Sequence, residues 1–208
     1  MEGVIRFEAV CLGERMPGGC EVSLREASLV RGQMLALGWM GQDPRRYGGD
    51  GFGNISIRHG QTEGFFITAS QIGAVPVLES EHWCHVVAVR PEANRVQYSG
   101  LRPPSSETLT HAAVYEAVPS ARCVVHVHAP EVWSVRARLG YPITDPGVAY
   151  GTPDMFREVL RLAPAAESSV LILGGHEDGV LAWGETADEA LTRLLSLCGR
   201  VARYGRGG

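Results

Sequence analysis

Two histidines separated by one residue lie in an apolar run, Val-Val-His-Val-His, at positions 124–128. A run rich in β-branched residues is typical of a strand. Because alternate side chains of a strand share a face, His126 and His128 are expected to project together, while Val125 and Val127 point the other way. Two imidazoles side by side on a rigid strand are a common beginning of a divalent-metal site.

The best candidate for a third ligand is His176. It follows the apolar run 171–173 and lies in a glycine-flanked turn, Gly-Gly-His-Glu-Asp-Gly at 174–179, where glycine gives the backbone freedom to place an imidazole. Three histidines with an open fourth position are typical of a catalytic metal site. The alternative for a short His-x-His pattern is a pair of ordinary half-buried histidines.

A second segment with chemical potential is Pro-Pro-Ser-Ser-Glu at 103–107. We predict that its prolines open a helix that runs to about Val118. Ser105 and Ser106 at a helix start would cap free backbone N–H groups, and the same N–H groups would also suit an anion. Glu107 would stabilise the helix dipole or act on a substrate, and His111 one turn later would share its face.

The elements that would position these residues are strands and a glycine-rich segment. The segment 43–53 is glycine-rich and leads into a strand at 54–58. It is either a plain connection or a mobile loop over a site. A further strand at 65–68 delivers Thr68 and Ser70 to a loop at its end.

These segments together resemble the class II aldolase/adducin family, over residues 24–202. No single block is specific, but the order of five blocks is. The blocks are Gly-Asn-Ile-Ser-Ile-Arg at 53–58, Phe-Ile-Thr-Ala-Ser at 66–70, Pro-Ser-Ser-Glu at 104–107 with His111, His-Val-His-Ala-Pro at 126–130, and the strand that ends in His176.

The resemblance implies a role for several residues. His126, His128 and His176 would bind a divalent metal, usually zinc, with manganese or iron as alternatives, and Glu107 would be the acid/base. Four polar residues would line the pocket that holds a substrate phosphate in the sugar-phosphate members of the family, namely Asn54, Thr68, Ser105 and Ser106. Ser70 is a further candidate for substrate binding.

The resemblance also implies a fold and an assembly. The runs fit an α/β protein, a three-layer α/β/α sandwich with a central, largely antiparallel sheet, which is also the fold of the family. We expect one domain over residues 1–208 with a disordered C-terminal tail. Homotetramers are usual in the family.

The sequence departs from the family pattern in three places. Gln71 stands where the loop Thr-Pro-Ser-Gly carries a phosphate-cradling glycine, which puts phosphate recognition in question. Glu177 and Asp178 add two carboxylates beside the third predicted ligand. The tyrosine that the sugar-phosphate aldolases take from a neighbouring subunit has no clear match, and its candidates here are Trp133, Tyr141 and Tyr150.

Composition excludes several classes of function. The chain has 208 residues, of which 45% are hydrophobic, a net charge of −4 and a pI near 6.0, which gives no general attraction to nucleic acid or anionic membranes. No apolar run is long enough for a membrane span, and the first residues do not resemble a signal peptide, so we expect a cytoplasmic protein. The five cysteines show no disulfide or zinc-binding pattern.

The predicted function is that of a metal-dependent aldolase or lyase. Its substrate would be a small hydroxycarbonyl compound, sugar-derived or a hydroxy-keto acid, and the metal would stabilise an enediolate. One alternative is an iron-dependent oxygenase or decarboxylase on the same three histidines. Another is a non-catalytic, adducin-like interaction domain, against which the presence of Glu107 and all three histidines argues.

Overall fold

The computed structural model describes residues 3–60 and 64–204, so the predicted disordered tail at 205–208 lies outside the described residues. The strands are β1 (Glu8–Gly13), β2 (Gly41–Gln42), β3 (Gly51–Phe52), β4 (Asn54–Ile57), β5 (Phe65–Thr68), β6 (Trp83–Arg90), β7 (Arg95–Ser99), β8 (Cys123–His128), β9 (Val170–Ile172) and β10 (Gly179–Gly184). The helices are α1 (Glu21–Ala36), α2 (Thr108–Ala117), α3 (Pro130–Ser134), α4 (Arg136–Leu139), α5 (Pro153–Leu162) and α6 (Ala187–Tyr204).

The described residues form one eight-stranded sheet in the order β1-β7-β6-β5-β4-β8-β10-β9, with β2 and β3 paired separately. Only β1 runs parallel to its neighbour in this sheet, and the other strand pairs are antiparallel. The prediction of a largely antiparallel sheet is therefore confirmed.

Helices cover both faces of the sheet. On one face α1 and α6 pack on a core that contains Val125 and Val127, and on the other α2 and α5 pack on a core that contains Val124 and Leu181. The alternation of strand side chains places successive residues of β8 in different cores. The three-layer α/β/α architecture is confirmed, and none of the helices at 3–60 and 64–204 is long and apolar enough to cross a bilayer.

One local prediction was wrong, and one strand was missed. The helix expected from the prolines begins only at Thr108, because Pro104 pairs with Ala69 beyond the end of β5, which holds this stretch extended. Consequently Ser105 and Ser106 precede the helix, and Glu107 is its N-cap residue. The strand β7 was not predicted. It follows Asn94, whose left-handed conformation (φ 48°) closes the connection from β6.

Candidate metal centre

Three histidines converge at the end of the central strand β8. His126 and His128 lie two residues apart on β8 and point to the same face, as their spacing predicts. His176 comes from the turn between β9 and β10. The possible ligand atoms of the three side chains lie within 4.8 Å of one another, and all three side chains are buried. Residues distant in sequence thus meet at one point.

The turn that carries His176 is fixed by backbone hydrogen bonds. The His176 N–H donates to the carbonyl of Leu173, and the Gly179 N–H donates to the carbonyl of His176. Gly175 lies so close to the carbonyl of Val148 that a Cβ atom has no room there. The glycine before His176 is therefore required by close backbone approach.

The ring nitrogens of the β8 pair suit a shared metal ion. Nε2 of His126 and Nε2 of His128 are 3.1 Å apart, and Nδ1 of His126 lies 3.3 Å from the carbonyl oxygen of Val180. If that Nδ1 donates to the carbonyl, Nε2 keeps its lone pair for a metal. Two nitrogens on one tetrahedral zinc ion are about 3.3 Å apart at the usual Zn–N length. The donor set and the spacing therefore fit a divalent ion.

Burial keeps these imidazoles neutral. Desolvation, together with the neighbouring His176, holds the pKa of His126 and of His128 well below the ordinary value. Arg46 adds to this effect at His128. A neutral imidazole is the form that binds a metal.

Glu107 lies beside the cluster. Its carboxylate oxygen Oε1 is 3.4 Å from Nδ1 of His176, and its Oε2 accepts a hydrogen bond of 2.5 Å from the hydroxyl of Thr110. The side chain is fully buried. The predicted acid/base thus lies against a predicted metal ligand, at the start of α2.

The five residues predicted to bind substrate gather around the ends of β4 and β5. Asn54 is the register partner of His126, and the Thr68 hydroxyl accepts a hydrogen bond from the N–H of Ile55. The Ser105 N–H donates a hydrogen bond to the carbonyl of Thr68. The Ser105 hydroxyl accepts a hydrogen bond from the N–H of Glu107. Ser70 is half-buried. The other four are buried, namely Asn54, Thr68, Ser105 and Ser106.

Two buried polar atoms near the cluster have no hydrogen-bond partner among the described residues. They are Oδ1 of Asn54 and Nε2 of His111. Nδ1 of His111 is 2.7 Å from the Ser56 hydroxyl, and burial lowers the pKa of His111 to about 3. Unpaired buried polar atoms are costly, and at a functional site they indicate where a ligand or an ordered water binds.

An open pocket of about 560 Å³ borders the cluster at His176. Tyr150 stacks on the His176 ring at 4.5 Å, and the guanidinium of Arg6 lies over the Tyr150 ring at 4.4 Å. None of the five predicted substrate-binding residues lines this pocket. Its lining residues are Arg6, Tyr47, Gly48, Asp50, Ala149, Tyr150, Gly175, His176 and Glu177.

Of the three aromatic candidates for the family tyrosine, the structure brings only Tyr150 to the cluster. The indole N–H of Trp133 donates to the carbonyl of Leu173. Tyr141 belongs to the core on the opposite face of the sheet, beside Arg200.

Tyr47 was not among the residues predicted from the sequence, and its ring packs edge-on against His128 at 4.7 Å. Its hydroxyl is hydrogen-bonded to Asp178, and desolvation followed by this bond raises the pKa of Tyr47 above its ordinary value. An aromatic residue between Arg46 and a Gly-Gly pair was the available signal in the sequence.

The sequence model of the Class II Aldolase and Adducin N-terminal domain matches residues 44–201. The chain belongs to this family. A curated relative from Nocardia farcinica, "Probable bifunctional methylthioribose-1-phosphate isomerase/methylthioribulose-1-phosphate dehydratase", is 30% identical over 89% of the chain and 36% of the relative. A "Methylthioribulose-1-phosphate dehydratase" from Acidiphilium cryptum is 31% identical over 45% of the chain and 54% of the relative. The chain thus spans about a third to a half of these relatives.

Solved structures of class II aldolases share the fold. The l-fuculose-1-phosphate aldolase of Thermus thermophilus superposes with a TM-score of 0.65 at 21% identity, over 88% of this chain and 93% of that chain. A sugar-phosphate aldolase of Thermotoga maritima gives 0.68 at 16% identity, over 92% and 99%. At these identities the likeness concerns the class II aldolase fold alone.

Proposed function

We propose that the protein is a divalent-metal-dependent lyase that acts on a small hydroxycarbonyl compound. The observation that carries the proposal is the convergence of His126, His128 and His176, with the Glu107 carboxylate buried against His176. Neutral, buried imidazoles with an adjacent carboxylate combine a metal site with a proton-transfer group.

In this proposal His126, His128 and His176 would hold the ion, which when bound would supply positive charge near a carbonyl oxygen. Glu107 moves the proton, and the Thr110 hydroxyl fixes its second oxygen and orients the carboxylate. Removal of a carbon-bound proton next to the carbonyl gives an enediolate that can expel a β-hydroxyl group as water. Removal of the proton of a β-hydroxyl group instead breaks the carbon–carbon bond and leaves an enediolate as the product. The names of the curated relatives favour dehydration of a ketose 1-phosphate.

We propose that Asn54, Thr68, Ser70, Ser105 and Ser106 bind the substrate, including its phosphate. The unpaired Oδ1 of Asn54 supports a role in substrate binding, because this oxygen could accept a hydrogen bond from a substrate hydroxyl group. Gln71 adopts the left-handed conformation (φ 60°) that glycine adopts readily, so the loss of the family glycine is compatible with a glycine-like backbone path.

The finer parts of this proposal rest on the family resemblance. Zinc is the metal we favour, and a homotetramer and a cytoplasmic location remain predictions, as does the extent of the single domain over residues 1–208. The adducin-like alternative is disfavoured, because a domain without catalysis has no need for three buried histidines beside a buried carboxylate.

The proposal is tested by elemental analysis of the protein purified without added metal. We expect zinc, manganese or iron near one per chain, lost in His126→Ala and kept in His59→Ala. His59 is a matched control, because its Nδ1 bonds the hydroxyl of Ser23 outside the cluster. Zinc or manganese would favour the lyase, whereas iron would favour the oxygenase alternative. Absence of metal in the wild type, with no stabilisation by added metal in a thermal melt, would overturn the proposal.

A further inference from the structure

The glycine-rich loop 43–53 touches the histidine cluster through one aromatic side chain. The ring of Tyr47 packs edge-on against His128 at 4.7 Å and against Phe52 at 5.2 Å. Tyr47 has a left-handed backbone (φ 49°), and Gly48 follows it in the same region (φ 70°). The loop thus turns sharply to place this ring on a predicted metal ligand.

The hydroxyl of Tyr47 reaches the turn that carries His176. It donates a 2.5 Å hydrogen bond to Oδ2 of Asp178, two residues after His176. Asp178 is also left-handed (φ 62°), and its carbonyl accepts the N–H of Ala129, which follows the second histidine of β8. One hydrogen bond therefore connects the loop to the turn of the third ligand.

Arg46 also forms a hydrogen bond to the Tyr47 hydroxyl. Its guanidinium donates to the Tyr47 hydroxyl at 2.8 Å, to the carbonyl of Gly38 at 2.7 Å and to the carbonyl of His128 at 3.3 Å. It also lies over the ring of Phe52 at 4.3 Å. The Tyr47 hydroxyl therefore acts as donor and acceptor at once, which restricts the orientation of its ring.

Tyr47 and Asp178 both have left-handed backbone conformations, which are uncommon in residues other than glycine. A left-handed backbone costs tyrosine about 1 kcal/mol or more, whereas aspartate adopts it more readily and glycine adopts it without that cost. Such strain persists where the surrounding structure requires it, and it concentrates at functional sites. Here the two strained residues are joined by their own side chains, and both adjoin predicted metal ligands.

We propose that Tyr47 and Asp178 are positioning residues that set the geometry of the metal centre. Their hydrogen bond joins the loop 43–53 to the His176 turn, and the Tyr47 ring fixes the orientation of His128. Both segments line the pocket beside His176, so the same bond sets the pocket width. The inference rests on the proposed three-histidine metal site and adds two residues to it.

The test is a double-mutant cycle read out by metal binding to the whole chain. Tyr47→Phe removes the hydroxyl and keeps the ring, and Asp178→Asn keeps the size of the side chain. The affinity for Co²⁺ is measured by competition with a chelator, together with the visible absorption of bound Co²⁺ and the melting temperature. The matched controls are Tyr141→Phe, on the opposite face of the sheet, and Asp188→Asn in the first turn of α6.

We expect each single variant to weaken Co²⁺ binding on the order of tenfold and to change the absorption spectrum. The double variant should bind about as weakly as Tyr47→Phe alone, because Asp178→Asn only replaces a charged acceptor by a neutral one, and that acceptor has no hydroxyl donor once Tyr47 is phenylalanine. The controls should match the wild type. Wild-type affinity and spectrum in Tyr47→Phe, or a lower melting temperature with unchanged affinity, would overturn the inference and leave the metal site intact. Failure of the wild type to bind Co²⁺ would instead overturn the metal site itself.

Discussion

Oε1 of Glu107 lies 3.4 Å from Nδ1 of His176, with both side chains buried. The carboxylate comes from the start of α2, on one side of the sheet, and the imidazole comes from the turn between β9 and β10. The proposed proton-transfer group and the proposed third ligand are thus neighbours, although they are far apart in sequence. Changes at Glu107 should affect proton transfer without loss of the metal.

Glu107→Gln keeps the shape of the side chain and an acceptor for the Thr110 hydroxyl, but cannot act as a base. We expect kcat on a ketose 1-phosphate to fall on the order of 100- to 10,000-fold, with the metal content unchanged. Steady-state kinetics and elemental analysis measure the two quantities. Glu116→Gln, an exposed carboxylate on the same helix, is the control. Near-normal turnover in Glu107→Gln would assign the proton transfer to another group.

The stability of the metal-free protein should depend on pH through its buried histidines. The pKa values of His126, His128 and His111 are lowered, to about 3 for His111, whereas the unfolded chain protonates histidine near pH 6.5. Below pH 6.5 the unfolded state binds more protons than the folded state. The free energy of unfolding therefore decreases as the pH falls, with a slope that approaches about 1.4 kcal/mol per pH unit for each histidine.

Urea unfolding between pH 6.5 and 5 measures this slope. His111→Gln should reduce it by about 1 kcal/mol per pH unit, since one buried histidine is removed and the histidine of the unfolded chain is half protonated at pH 6.5. Carboxylates titrate mainly below this range. A free energy of unfolding that is independent of pH across it would show that these imidazoles are not held neutral in the fold.

Gln71→Gly tests whether the loop after β5 is defined by its backbone. Gln71 has φ 60°, which costs a non-glycine residue about 1 kcal/mol or more. Glycine should therefore raise the free energy of unfolding by up to about 1 kcal/mol, whereas Gln71→Ala should not. Denaturant titration of both variants gives the comparison. Equal destabilisation by glycine and by alanine would mean that the Gln71 amide contributes a stabilising contact, and greater destabilisation by glycine than by alanine would contradict the backbone argument.

Gly175→Ala should disturb the third ligand by steric conflict. An added Cβ would meet the carbonyl oxygen of Val148, so the turn must shift. We expect a loss of about 1–3 kcal/mol of stability and weaker metal binding. Gly32→Ala is the matched control, because its Cβ would meet open space on α1, and alanine there should stabilise the helix by about 0.5–1 kcal/mol. Equal effects of the two substitutions would contradict the steric argument.

The histidine pair of the site was predictable because its arrangement depends only on a local sequence pattern. The period of two on β8 places His126 and His128 on one face without reference to the rest of the fold. The position of the helix start was not predictable, because Pro104 pairs with Ala69 and this tertiary contact overrides the local preference. The contact between Tyr47 and Asp178 joins residues 131 positions apart, and no local pattern indicates it.

His126 and His128 lie on a strand and His176 lies on a turn, and this difference should affect the rate at which a bound metal exchanges. His126 and His128 lie on β8, between β4 and β10, whereas His176 lies on a turn next to β9, the last strand of the sheet. Turns beside an edge strand open locally at a lower free energy than paired interior strands. A bound metal should therefore exchange through local opening of the turn that carries His176, while β8 stays paired with β4 and β10. The rate of that exchange would report local opening of the turn, independent of global unfolding.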